Sequence, residues 1–245
     1  MALKCSVIVC AHNEAQYLEA CLHSLLAQSR LPDEIIVVDN ASSDDTQQVA
    51  HRVRSVQVIS EPRKGLTIAR ETGRRHAQGD LLLYIDADCR TPIEWLSRME
   101  ARFARDQRLV GVSGPYRYYD WDWTGRWLIR AYDFTVAPAT QFLVKYLLRA
   151  GSIFYGGNFA VRREVLAAIG GFDTSIEFHG EDTNLGRRLC AVGKVSIAMP
   201  CWVHTSARRF LAMGTGAVIR LYVRNFWSEI LYHSPKDTSH VDVRS

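Results

Sequence analysis

An α/β fold around a mostly parallel sheet follows from three features of the sequence. Short apolar runs suited to buried strands alternate with segments of helical period, the links between them are short, and polar residues gather where the runs end. Cys5-Ser6-Val7-Ile8-Val9-Cys10 reads as the first strand. Asn13-Glu14 then opens a helix that carries Leu18, Cys21, Leu22, Leu25 and Leu26 on one stripe and stops before Pro32. Glu34-Ile35-Ile36-Val37-Val38-Asp39 is the second strand. It is followed by the cap-rich turn Asn40 to Thr46 and a helix starting near Thr46. Ser55 to Ile59 gives a shorter third strand, and a loop with Lys64-Gly65 leads into a helix from about Leu66 to Ala77. The fourth strand is Leu81-Leu82-Leu83-Tyr84-Ile85, ending in Asp86-Ala87-Asp88 before Thr91-Pro92. Such β-α-β-α units close into a sheet by right-handed crossovers.

Composition narrows the function classes. At 245 residues the chain suits one large α/β domain, and 47% hydrophobic with 23% charged residues excludes wholesale disorder. A formal net charge of +4 is too mild to argue for nucleic acid, but it suits anionic ligands or an anionic membrane surface. Six scattered cysteines form no Cys-x-x-Cys pair, and Met1-Ala2-Leu3-Lys4 runs directly into a strand rather than a signal peptide. A reduced, cytoplasmic protein is the expectation. No run reaches the roughly 18 apolar residues needed to span a bilayer.

Four strand ends carry candidate ligands for one sheet edge, where open α/β sheets bind theirs. Ala11-His12-Asn13-Glu14 follows strand one, Asp39 ends strand two, Lys64 and Arg70 follow strand three, and Asp86 and Asp88 end strand four. Strand alternation would send both aspartates to the same side. Two hard oxygen ligands there suit Mg2+ or Mn2+ bound together with phosphates, with Lys64 and Arg70 offsetting phosphate charge. Blander readings stay open residue by residue: a solvated acidic turn, helix caps at Asn13 and Asp44, and an exposed Lys64.

Val7-Ile8-Val9-Cys10-Ala11-His12-Asn13-Glu14, Val37 to Thr46 and Tyr84-Ile85-Asp86-Ala87-Asp88 resemble the N-terminal half of family 2 glycosyltransferases of the GT-A fold. Gly156-Gly157-Asn158-Phe159-Ala160-Val161-Arg162-Arg163, Gly170-Gly171-Phe172-Asp173 and Gly180-Glu181-Asp182 extend the likeness, which runs from about Ser6 to His204. The resemblance implies an inverting enzyme that uses a divalent metal and a nucleotide-sugar donor, a UDP-sugar by the family's habit, with a GDP-sugar user acting on a lipid-linked acceptor at the membrane surface as the alternative. Ala11, Asn13, Glu14 and Asp39 would line the nucleoside, with Lys64, Arg70 and Asp86 nearer the ribose and diphosphate. Asp88 would bind the metal, and His204 would supply a further ligand, as in some members. Gly157, Asn158 and Glu181 would face the sugar, and Asp182 would be the general base that deprotonates the acceptor. A plain turn at Gly156-Gly157-Asn158 and an N-capping Glu181-Asp182 pair explain the same residues without chemistry.

The implied layout is a transferase domain over residues 1–205, split into a donor half (1–110) and an acceptor and catalytic half (111–205). Residues 206–245 would form an amphipathic helix and a polar tail. Between the motifs, Tyr116, Tyr118, Tyr119, Trp121, Trp123 and Trp127 crowd together, followed by Arg130, Lys145, Leu148 and Arg149. These suit either a sugar-stacking acceptor wall or ordinary packing. Arg208 to Tyr232 reads as a basic amphipathic helix, docked on the core or lying on a membrane, and the tail from Ser234 frays. The acceptor would be a saccharide or a lipid-linked molecule, with peripheral membrane contact in the second case.

Three competing classes fit less well. A dinucleotide oxidoreductase needs Gly-x-Gly-x-x-Gly after strand one, and a nucleotidyltransferase needs a Gly-rich basic loop there; Ala11-His12-Asn13-Glu14 stands instead. A non-catalytic sugar-nucleotide binder would be free to lose Asp39, Asp88 or Asp182, and all three are present.

Overall fold

A computed structural model of the chain describes residues 3–147, 151–176 and 178–234. Leu148, Arg149 and the tail 235–245 lie outside the described residues. The first half follows the predicted alternation: β1 (Cys5–Ala11), α1 (Ala15–Leu26), β2 (Glu34–Asn40), α2 (Thr46–Arg52), β3 (Gln57–Glu61), α3 (Leu66–His76) and β4 (Leu81–Asp86). Next come α4 (Trp95–Arg105), β5 (Leu109–Ser113), β6 (Tyr116–Tyr118), α5 (Trp123–Phe134) and α6 (Val136–Phe142), which runs into a π-turn at Leu143–Leu147. The chain returns through β7 (Asn158–Arg162), α7 (Arg163–Ala168), α8 (Glu181–Cys190), β8 (Lys194–Ile197) and β9 (Val203–Thr205). It finishes with α9 (Arg208–Met213) and α10 (Thr215–Tyr232). The single amphipathic helix expected from Arg208 is therefore two helices, broken where Gly214 takes a left-handed φ of 81°.

The main sheet has seven strands in the order β3-β2-β1-β4-β7-β5-β8. β3, β2, β1 and β4 are parallel, whereas β7 runs antiparallel between β4 and β5. That inversion matters to the site, because pairing Ile85 with Asn158 brings the chain before β7 alongside Asp86. A small second sheet pairs β6 with β9 beyond the same edge.

Both faces of the main sheet are covered, which is why its strands read as unbroken apolar runs. Val7, Val9, Leu83 and Ile85 face Leu18 and Leu22 of α1 and Trp95, Met99 and Phe103 of α4. Ile8, Tyr84 and Phe159 pack on the other side with Ala69 of α3 and Leu185 and Leu189 of α8. Each such side chain contributes about 1.5–3 kcal/mol by leaving water. α3 lies close to the sheet because Gly73 presents no side chain: a Cβ there would sit 2.5 Å from Ile8 Cγ2. Gly73→Val is therefore expected to lower the urea midpoint by the equivalent of about 1–3 kcal/mol through overpacking. An unchanged midpoint would mean that α3 can move away freely.

Candidate active site

The turns after β1 and β2 are clasped to each other. Asn13, at φ 53°, accepts from the Ser43 backbone N–H (2.8 Å), and its own N–H donates to Ser42 Oγ (3.0 Å). The Glu14 N–H donates to Thr46 Oγ1 at 2.7 Å. Ala11 stands beside Asp39 in the β1–β2 register, and Asp39 is buried. Among the described residues, nothing hydrogen-bonds Asp39 Oδ1. A buried carboxylate oxygen in that state suits a ligand's donor group. The neighbouring Asn40 amide fixes the β3–α3 loop by accepting from Gly65 N–H (2.8 Å) and donating to the Arg63 carbonyl (2.7 Å), leaving Lys64 exposed at the rim.

Asp86 is the last residue of β4, and a turn closed by Cys89 N–H donating to the Asp86 carbonyl (3.0 Å) carries Asp88 beyond the strand. Strand alternation therefore does not place Asp88. The Asp86 carboxylate stays 45% exposed, whereas Asp88 is buried. Arg208 of α9 reaches Asp88 at 3.1 Å and also clamps Glu14 with two hydrogen bonds, of 2.9 and 2.5 Å. Its guanidinium lies over the Tyr17 ring, 4.8 Å from the centroid. Thr205 Oγ1 donates to Asp88 Oδ1 at 3.2 Å. Burial pushes the Asp88 carboxyl up to about 7; Arg208 opposes that rise, and the Asp86 and Glu14 charges reinforce it.

His204 is not brought to Asp88. It sits in β9 next to Thr205, and because the Thr205 side chain turns to Asp88, the pleat sends His204 the other way. Its ring meets Trp202 edge-on at 4.9 Å, and burial, then Arg90 and Arg117, depress its basicity. Among the described residues no three His, Cys, Asp or Glu side chains cluster to hold an ion. Asp86 and Asp88 nevertheless fit Mg2+ or Mn2+. They are hard oxygen donors at one strand end, Asp88 already faces a cation in Arg208, and such ions commonly take one or two carboxylates plus phosphate oxygens.

The first turn of α8 lies close by, joined to Asp86 through Arg70. Gly180, at φ 91°, starts the helix, and Glu181 and Asp182 follow where free N–H groups and the dipole favour anions. Asp182 Oδ1 accepts from the Thr183 N–H (2.7 Å) and Oγ1 (3.3 Å). Burial raises both carboxyls above their usual range. The Asp182 charge raises Glu181 further, while Arg70 opposes the rise in both.

Two glycines link the two ends. A Cβ on Gly156 would lie 2.9 Å from Glu181 Oε1 and 3.4 Å from Asp182 Oδ2, and one on Gly157 would overlap the Asp86 carboxylate. The Gly157 N–H donates to the Tyr116 hydroxyl at 2.6 Å. Arg70, almost wholly buried, reaches Glu181 (3.1 Å) and Asp86 (3.8 Å) and donates to the Gly156 carbonyl (2.6 Å). Burial raises the hydroxyls of Tyr132 of α5 and Tyr222 of α10, and the Asp182 charge adds to both rises.

Asn158 departs from its expected place against the sugar. Its amide is used inside the fold, donating to the Cys201 carbonyl (2.8 Å) and accepting from Trp95 Nε1 (2.9 Å). Asn13 likewise spends its side chain on the turn clasp. Arg208 and Thr205 stand at the site without being candidates for it in the sequence, and Tyr116, read there as part of an aromatic wall or of ordinary packing, accepts from the Gly157 N–H. The sequence groups Arg208 with the helix that follows, and only its closeness to the Trp202-Val203-His204-Thr205-Ser206 stretch points to the site.

A sequence model described as glycosyl transferase family 2 matches residues 6–170. The chain is similar to polypeptide N-acetylgalactosaminyltransferase 6 of Mus musculus, with 27% identity over 256 residues, covering 89% of this chain and spanning 40% of that protein's length. Among solved structures, the mannosyltransferase PcManGT of Pyrobaculum calidifontis, in complex with GDP-Man and Mn2+, superposes with a TM-score of 0.65. It is 22% identical, over 90% of this chain and 65% of that one. Glucosyl-3-phosphoglycerate synthase of Mycobacterium tuberculosis, solved with Mn2+, UDP and phosphoglyceric acid, gives 0.65 at 20% identity, over 94% and 79%. At these identities the structural likeness is one of fold.

The raised Asp88 carboxyl yields a stability prediction with a definite sign. Its folded value of about 7 lies above the roughly 3.9 of an unfolded aspartate, so ionisation costs stability increasingly as pH rises between them. Asp88→Asn, in EDTA, should gain stability over the parent as pH is raised from about 4 to about 7 and keep that gain above it. Urea titrations across this range check it, and a variant weaker than the parent at pH 8 would contradict it.

Proposed function

The chain belongs to glycosyltransferase family 2 and has the GT-A fold, and from that premise we propose that it moves a sugar from a UDP-sugar to an acceptor hydroxyl with inversion at the anomeric carbon. The observation that carries this reading is the bare Gly156-Gly157 floor, which runs from Asp86 to the Glu181-Asp182 pair. With no side chain there, the backbone sits in direct contact with Asp86 and with the Glu181-Asp182 pair, which brings a diphosphate end and a base end close together. Residues 1–110 would serve the donor and 111–205 the acceptor and the chemistry.

Each residue then has a stated task. Asp39 offers its free oxygen to the nucleoside, beside Ala11 and Glu14. Asp86 and Asp88 would hold Mn2+ or Mg2+, which when bound neutralises charge on the departing diphosphate. Arg208 and Lys64 are the chain's own cations on that side. Asp182 takes the proton of the acceptor hydroxyl as its oxygen bonds to the anomeric carbon. The bond to the diphosphate breaks on the far face and its electron pair leaves with the nucleotide. Glu181 and Arg70 position Asp182 and the floor rather than touching the acceptor.

The UDP reading is supported by the UDP in the mycobacterial neighbour, and GDP-Man in the archaeal one supplies the competing base. A thermal-shift screen against UDP, GDP, CDP, TDP and NAD, each with Mn2+ and with EDTA, decides it, since a ligand of the native state raises the melting point. A shift with UDP that vanishes in EDTA is expected. A shift with NAD alone, or with none, would overturn the transferase reading, the latter in favour of a non-catalytic relative.

Asp182→Asn should keep that shift and lose turnover by roughly 100-fold or more, as expected for a missing general base. The pH–rate profile of the parent should fall on the acid side above the ordinary carboxylate range, because Asp182 must be ionised and burial raises its carboxyl.

A further inference from the structure

Helix α5 is arranged with its apolar side outward. Its inner stripe is Gly125, Ile129 and Asp133, one turn apart, and a Cβ at Gly125 would strike the Trp121 indole beneath. The inner Asp133 is held by Tyr155 (2.9 Å) and Arg117 (3.4 Å). The outer face carries Trp123, Trp127, Leu128 and Phe134, each more than half exposed, and Val136 and Leu147 continue it along α6 and the π-turn. A helix that faced only water would place its residues the other way round.

The chemistry of this face selects its partner. Arg126 and Arg130 are exposed among the apolar residues, and the Arg130 guanidinium sits 5.9 Å from the centre of the Trp127 ring. The two acids of the helix and its cap are otherwise engaged: Asp133 is buried, and Asp122 caps the helix by accepting from Gly125 N–H at 2.8 Å. Tryptophans mixed with arginines on one exposed helical face suit the boundary between lipid headgroups and acyl chains, the cations meeting anionic headgroups while the rings enter the interface. We propose that α5 and α6 dock this protein on an anionic bilayer surface through Trp123, Trp127, Leu128 and Phe134, flanked by Arg126 and Arg130. No described helix is long and apolar enough to cross a membrane, so the contact is with one leaflet.

This surface goes further than the transferase reading and does not depend on it.

Co-sedimentation with vesicles of phosphatidylcholine alone and of phosphatidylcholine mixed with phosphatidylglycerol tests the proposal. The parent is expected to sediment with the mixed vesicles only, and less so as salt is raised. Arg126→Gln with Arg130→Gln should weaken that binding by roughly thirtyfold. Trp123→Ser with Trp127→Ser should abolish the blue shift of tryptophan emission on adding vesicles. Both variants should retain the nucleotide-dependent thermal shift of the parent, which shows that they are folded and separates this test from that of the transferase. No binding to mixed vesicles, or binding that both variants keep, would overturn it. So would a parent that ignores vesicles but elutes as a dimer, with the tryptophan variant a monomer, since a second copy would then cover the face.

Discussion

Arg70 is a guanidinium removed from water at the edge of the sheet, and burying such a charge uncompensated costs about several kcal/mol. Its compensation comes from three separate parts of the chain: Asp86 at the end of β4, Glu181 at the start of α8 and the Gly156 carbonyl before β7. The Phe159 ring lies 5.4 Å from its carbon centre. Remove it, and two carboxylates lose their counter-charge while the glycine floor loses its anchor. The distance between the donor end and the base end of the cleft is thus set by one side chain, which is itself fixed by how closely α3 sits on the sheet.

Arg208 has the corresponding place at the donor end, but on an element that the main sheet does not hold. It comes from α9, beyond the last strand, and satisfies Glu14 and Asp88 together. The site therefore carries its own cation between two carboxylates, and Asp88 still lies far above the ordinary carboxylate range because burial outweighs that pairing.

Much of this was legible in the sequence because local physics and global fold agree over the first half. Apolar runs of five or six residues have only one use in a doubly covered parallel sheet, and β1, β2, α3 and β4 fall where periodicity puts them. The family resemblance carried the Glu181-Asp182 pair to the cleft, which spacing alone could not do. What the sequence did not show depends on side-chain direction or on distant pairing. Asn158 looks like a ligand residue and is spent on Trp95 and Cys201. His204 lies one pleat away from the residue that touches Asp88. Arg208 appears as one more basic residue of a helix until the fold carries it nearly two hundred positions back to Glu14. The outward tryptophans of α5 read as either wall or core, since periodicity reveals a face but not what it meets.

The most direct test of the central claim is the anomeric configuration of the product. If Asp182 activates the acceptor from the face opposite the diphosphate, proton NMR of the first product formed from an α-linked UDP-sugar should show a β-glycosidic linkage. An α-linked product would mean that acceptor and leaving group share one face, and it would contradict the assignment of Asp182 as the base of a single inverting displacement.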